Sequence, residues 1–220
     1  MSYQIAIDGP AGAGKSTIAK KLAKNLNFIY VDTGAMYRAI ALYLIRKGIH
    51  SSDSAAIERA CQEVEVEIAY KDGEQQVILN GENVTGLIRT EEVGNMTSAV
   101  SVYPAVRRKL LELQRALAEK ADVIMDGRDI GTCVLPQADL KIYLTASVEA
   151  RADRRYQELL AKGQEPVLAE IAKDIEERDY RDMHREIAPL KQAEDAVYLD
   201  SSDMGIEEVI QAILKIKADR

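Results

Sequence analysis

Eight residues near the start of the chain, Gly9-Pro10-Ala11-Gly12-Ala13-Gly14-Lys15-Ser16, match G-x-x-x-x-G-K-[ST] in full. They follow the apolar run Ile5-Ala6-Ile7 and open a stretch with helical periodicity, the context that gives the pattern its chemical meaning. Glycines let the backbone turn so that successive N–H groups point inward at phosphate oxygens. The helix behind the loop adds its free N-terminal amides and the positive end of its dipole. Lys15 supplies a mobile cation for the β- and γ-phosphates, and Thr17 extends the nucleotide-binding set. The Ser16 hydroxyl suits the shell of Mg²⁺. Val123-Ile124-Met125-Asp126 is a second apolar strand ending in a carboxylate, and Asp126 is expected to order the same ion through water. Asp8, closing the first strand, fits two roles, a structural acceptor for loop amides or a metal contact. The cofactors expected from these residues are ATP and Mg²⁺.

Arginines recur beyond the loop at positions 38, 107, 128, 151, 154, 155, 178, 181 and 185. Arg151, Arg154 and Arg155 share one helical face, and Arg178, Arg181 and Arg185 another. Ordinary i, i+4 pairs, such as Asp174 with Arg178 or Arg178 with Asp182, would explain some of them. The repeated choice of Arg over Lys between 151 and 185 favours bidentate phosphate recognition. Gly163 and Pro166 punctuate the stretch between the two faces, as a mobile lid requires.

The elements that must hold these groups follow from apolar patterning. Five runs, Ile5–Ile7, Phe28–Val31, Val123–Met125, Leu140–Leu144 and Ala196–Leu199, are continuous rather than alternating, which predicts buried parallel strands. Helical stretches at 16–25, 35–47, 104–120 and 206–216 separate them. Strand alternating with helix predicts a P-loop NTPase-type α/β fold: a five-stranded parallel sheet with helices on both faces. One segment departs from this rhythm. Residues 64–85 alternate apolar and polar around Asp72-Gly73 and Asn80-Gly81, predicting a small antiparallel β insert that enlarges a cleft wall or merely pads the fold. The whole is expected to be one kinase domain over 1–220. It would contain a monophosphate-binding region at 33–103 and a lid region at 151–185.

Bulk properties narrow the partners. The chain has 220 residues, 47% hydrophobic and 30% charged, with a formal net charge of -7. An acidic chain is poorly suited to polymeric nucleic acid, so anionic ligands must be held by local cationic clusters. No apolar run reaches the roughly 20 residues of a membrane span, and the N-terminal residues lack a signal-peptide pattern. A cytoplasmic monomer is expected, with small nucleotides as partners. Cys61 and Cys133 lack CxxC spacing and are expected to be buried free thiols. His50 and His184 form no metal-ligand pair.

A phosphate loop also serves GTP-dependent switches, which carry [NT]-K-x-D after a strand. Here K-x-D occurs only at Lys120-Ala121-Asp122 and Lys217-Ala218-Asp219, preceded by Glu119 and Ile216, so the guanine-reading residue is missing. The segments IAIDGPAGAGKST, VDTGAMYR (31–38), DGRDIGT (126–132), ERDYRD (177–182) and IAPL (187–190) together resemble bacterial cytidylate kinases. The resemblance spans nearly the whole chain and includes the 64–85 insert.

It implies transfer of the γ-phosphoryl group of ATP to CMP or dCMP. It also implies roles. Thr33, often Ser in that family, and Arg38 would hold the acceptor phosphate. Ser98, Arg107 and Asp129 would read the cytosine edge. Arg128, Arg178 and Arg185 would engage the monophosphate and, with Lys15, the transferred group. Asp182 would meet the sugar, and Arg154 and Arg155 the ATP. The chemistry is coherent: cytosine places an amino donor beside a ring-nitrogen acceptor, matching a carboxylate and a guanidinium. Uracil would leave a buried acceptor facing the carboxylate, at a cost of about 1–3 kcal/mol. A kinase of the same architecture acting on UMP or another small acceptor is the alternative.

Overall fold

The computed structural model describes residues 2–219. In chain order the elements are β1 (Gln4–Asp8), α1 (Lys15–Leu26), β2 (Ile29–Asp32), α2 (Thr33–Arg46), α3 (Ser54–Glu63), β3 (Val66–Lys71), β4 (Glu74–Leu79), β5 (Glu82–Asn83), α4 (Glu91–Val100), α5 (Pro104–Lys120), β6 (Val123–Gly127), β7 (Leu140–Thr145), α6 (Val148–Ala161), α7 (Leu168–His184), β8 (Val197–Asp200) and α8 (Ile206–Ala218). A single π-type turn, Ile130–Val134, follows β6. Five strands form a parallel sheet in the order β2-β6-β1-β7-β8, as the apolar runs predict.

The chain divides into two compact units: residues up to Tyr30 together with those from Ala121 onward, and Val31–Lys120. In the first, Ile5 and Ile7 of β1 lie beside Ile124 of β6 and Leu140, Ile142 and Leu144 of β7. These alternate positions share one face of the sheet. Ile18, Ala19 and Leu22 of α1 and Val209, Ile210 and Ile213 of α8 cover that face, forming one buried apolar cluster. Ala6 and Met125 point the other way and are also fully buried, so the central strands are enclosed on both sides. The edge strand β8 departs from the expected continuous burial. It alternates half-buried and exposed positions, and Tyr198 stands 56% exposed.

In the second unit, residues 66–83 fold as the predicted antiparallel insert, in the order β3-β4-β5. Asp72 and Gly73 take φ of 54° and 79°, and Asn80 and Gly81 take 47° and 81°. Positive φ at both central residues is the turn that matches strand twist in a tight hairpin. Helices α3 and α4 lie in stretches where apolar spacing predicts no helix. Each begins at a side-chain cap: Asp53 accepts from the Ala56 amide and Thr90 from the Val93 amide. Both cysteines are free; Cys61 is buried, while Cys133, expected to be buried, is only partly so.

Candidate active site

The parallel register of β1 and β6 aligns Asp8 with Gly127. The loop at 9–16 and the segment from Asp126 therefore leave the sheet side by side, at the carboxyl ends of adjacent strands. That is where ligands of open parallel sheets bind. Gly9 carries φ of 148°, and a Cβ there would lie 1.9 Å from the Leu144 carbonyl oxygen, so only glycine passes between the strand ends. Helix α1 starts at Gly14 with no side-chain cap, whereas α2, α3, α4 and α6 are capped by Asp32, Asp53, Thr90 and Ser147. Its first amides are thus not taken by a side chain and suit an anion. Thr17, two residues into the helix, is exposed.

The Lys15 side chain is 5% exposed, and its ammonium donates to the Pro10 carbonyl at 2.6 Å. Burial pushes its pKa well below the ordinary lysine value. The like charge of Arg128 acts in the same sense, and Asp126, Asp8 and Asp182 oppose both. The Ser16 hydroxyl donates to Asp126 Oδ2 at 2.8 Å, and the Tyr30 hydroxyl to Oδ1 at 2.9 Å. A hydroxyl and a carboxylate in hydrogen-bond contact are hard oxygen donors of the kind Mg²⁺ takes, with waters and substrate oxygens completing its shell. The pair fits that ion. Among the described residues no cluster of three or more His, Cys, Asp or Glu could cage a metal without such help.

Asp8 meets loop amides, one of the two roles that its position allows. Its carboxylate accepts from the amides of Ile130 and Gly131, each at 2.7 Å, and so anchors the π-type turn to the end of β1. Burial pushes its pKa up to about 6, against those two amide bonds; Asp129 adds to the rise and Lys15 opposes it.

Arg128 and Asp129, just before this turn, meet Asp182 and Arg185. Arg128 Nε donates to Asp182 Oδ2 at 2.8 Å, and Arg185 Nη2 lies 3.3 Å from Asp129 Oδ1 with both side chains under a tenth exposed. Burial works against ionising Asp182, yet Arg128, Arg178 and Arg185 together hold the carboxyl below its ordinary pKa. The arginines at 178 and 185 thus belong to one charged cluster, while Arg181 is exposed. Arg128 reaches Asp182 across 54 residues of sequence, and Arg178, four residues before Asp182 on α7, acts on the same carboxylate.

The face of α6 divides its arginines among different partners. Arg151 is 4% exposed. It donates to the carbonyls of Ala146 at 2.9 Å, Ser147 at 3.3 Å and Ala11 at 2.9 Å, and pairs with Asp179 of α7 at 2.6 Å. Arg154 donates to the Ser201 carbonyl at 2.5 Å, and Arg155 forms an exposed pair with Glu158 at 2.8 Å. Sequence spacing placed all three on one face but carried no sign that Arg151 is spent on backbone carbonyls.

The second unit holds the other residues singled out by sequence. Thr33, 3% exposed, is the first residue of α2, and the cap before it, Asp32, accepts from the Ala35 amide at 2.9 Å. Arg38 donates to the Ile88 carbonyl at 3.3 Å. A Cβ on Gly94 would lie 3.3 Å from its guanidinium, so the glycine inside α4 leaves room for that group. The legible signal for Gly94 is its cost, about 1 kcal/mol relative to Ala in a helix interior. Ser101 joins Ser98 to Arg107: its hydroxyl donates to the Ser98 carbonyl at 3.2 Å, and its carbonyl accepts from Arg107 at 3.4 Å. The Arg107 guanidinium also lies over the Tyr37 ring, 5.9 Å from its centre. Arg89 and Gln75, which sequence reasoning missed, both bind Asp32.

The parallel sheet with its glycine-rich loop opening α1 defines a phosphate-loop α/β protein. A solved structure of an uncharacterized protein from Eubacterium ventriosum, 12% identical, covers 100% of both chains with a TM-score of 0.53, in keeping with a shared fold. The chain belongs to the cytidylate kinase family: the sequence profile described as cytidylate kinase matches residues 5–219. It is similar to a cytidylate kinase of Ligilactobacillus salivarius, 49% identical over 99% of this chain and 97% of that protein. A cytidylate kinase of Solibacter usitatus is 51% identical over 98% of this chain and 92% of that protein.

Proposed function

We propose that this chain transfers the γ-phosphoryl group of ATP to CMP or dCMP, releasing ADP and CDP or dCDP. The observation that carries the proposal is membership of the cytidylate kinase family over nearly the full chain, with the phosphate loop intact in sequence and in its strand–loop–helix setting.

The acceptor phosphate is anionic near neutral pH, so no strong general base is needed. The barrier lies in bringing two polyanions together and aligning them. Lys15 exchanges its bond to the Pro10 carbonyl for the β- and γ-phosphates of ATP, and the amides of loop 9–16 cradle the same oxygens. Arg128, Arg178 and Arg185 neutralise charge on the acceptor phosphate and on the group in transfer. Asp182 and Asp129, paired with Arg128 and Arg185, keep those two guanidiniums oriented before substrate arrives, which is the condition for electrostatic catalysis. Thr33 and Arg38 hold the acceptor phosphate. Ser98, Arg107 and Asp129 select the cytosine edge, and Asp182 the sugar. Arg154 and Arg155 act on the ATP side. Ser16 and Asp126 would hold Mg²⁺, which supplies charge neutralisation between the β- and γ-phosphates. No described helix is long and apolar enough to cross a membrane.

The test is a coupled ADP-release assay with CMP, dCMP, UMP, AMP and shikimate as acceptors. Turnover of CMP and dCMP far above the others is expected. Preference for UMP or shikimate, or no release with any acceptor, would overturn the proposal.

A further inference from the structure

From the β insert, the Gln75 side chain reaches the main chain of Asp32, the cap of α2. Gln75, the second residue of β4, uses both ends of its amide on Asp32: Oε1 accepts from the Asp32 N–H at 2.8 Å and Nε2 donates to the Asp32 carbonyl at 3.2 Å. A side-chain amide bonded to both the N–H and the C=O of one residue does what a neighbouring strand does, and it does so at the last residue of β2. Asp32 is held on its side-chain end as well. One carboxylate oxygen caps the Ala35 amide, and the other pairs with Arg89, which lies shortly after β5. Arg38, a turn and a half into α2, in turn donates to the carbonyl of Ile88, the residue before Arg89. The insert and the segment that leaves it thus grip α2 at its cap and at Arg38.

We infer that Gln75 is a positioning residue for the acceptor's phosphate, and that bracing the first turns of α2 is what the β insert contributes to the reaction. The inference rests on the proposal that Thr33 and Arg38 hold that phosphate. Thr33 follows Asp32 directly, so any rotation of the Asp32 peptide turns the Thr33 hydroxyl and tilts the first amides of α2. A phosphate held by a hydroxyl and a guanidinium is sensitive to such shifts, because both groups must meet it at once. Neutral, partly buried hydrogen bonds of this kind contribute modestly to folding, so the loss is expected in geometry rather than in overall stability.

The experiment replaces Gln75 with methionine, which keeps the side-chain length and removes both hydrogen bonds. Gln75→Met is expected to raise KM for CMP roughly tenfold, as loss of a hydrogen-bond pair implies. KM for ATP should stay within about twofold, as should the inhibition constant of cytidine, which lacks the phosphate. Gln76→Met is the control, since neighbouring strand residues point to opposite faces and Gln76 instead bonds Asn83. Its kinetics should match the wild type. An unchanged KM for CMP in Gln75→Met overturns the inference. So does an equal loss for ATP, CMP and cytidine, or the same loss in Gln76→Met, since each marks a general effect of disturbing the insert. If the wild-type enzyme makes no CDP, the proposed function itself falls, and that outcome is read before any variant is compared.

Discussion

Lys15 concentrates the chemistry in one side chain. It is buried, carries a depressed pKa, and has a carbonyl partner that a triphosphate would replace. Lys15→Ala is expected to lower kcat by about 100- to 1000-fold while leaving the circular dichroism spectrum unchanged, the scale seen when a transition-state charge donor is lost. Near-normal turnover would remove it from the mechanism. Asp129→Asn tests base selection. KM for CMP should rise about 10- to 100-fold with little change for ATP, because an amide keeps one acceptor oxygen where Arg185 and cytosine together need two. Asp8 makes a pH prediction. Its folded pKa of about 6 lies above the ordinary 3.8, so between these values the folded state binds more protons than the unfolded chain. Stability should therefore fall as pH rises from about 4 to about 6, by up to roughly 3 kcal/mol. Asp8→Asn should flatten that slope relative to the wild type in urea melts across the range. An unchanged slope would show that Asp8 titrates normally.

Elements differ in how far the sequence discloses them. The loop, β1 and α1 are written in consecutive residues, so spacing alone predicts them. Both hairpin turns are legible too, because Asp-Gly and Asn-Gly encode their own backbone angles. Helices α3 and α4 escaped because each is only ten residues long and is recognised mainly by its cap. The arginine faces were legible as faces, but not the partners. Arg151 reaches Ala11, 140 residues away in sequence, and Gln75 reaches Asp32 across 43. Spacing has no access to contacts of that range. At this scale the link between α6 and α7, residues 162–167, is the segment to probe. It is mostly exposed, and Gly163 within it has φ of 75°. If 151–185 is a lid, ATP and CMP together should slow proteolysis in this link several-fold, and either nucleotide alone should slow it less. Unchanged cleavage would argue that the segment does not respond to substrates.

For the molecule as a whole, acidity sets a condition. A chain with a net charge of -7 must bind two polyanions, so the local clusters around Lys15 and Arg128 work against the overall field. Binding should appear as stabilisation. ATP at 100 times its Kd is expected to add about 2.7 kcal/mol to unfolding, read as a rise in Tm, and CMP should add its own increment where AMP does not. Equal shifts with AMP and CMP would contradict selection of cytosine.

Arg151 carries a consequence for variation in this chain. Its guanidinium satisfies three carbonyls and a carboxylate, joining Ala11 of the phosphate loop to α7. A lysine has one point charge where that fork has five donors, so even the mildest replacement strands several acceptors in the interior. In a saturation mutagenesis screen, position 151 should therefore rank among the least permissive, well below the exposed Gln157 on the same helix. The barrier to drift there is architectural, set by the number of groups a single flat cation can hold in place.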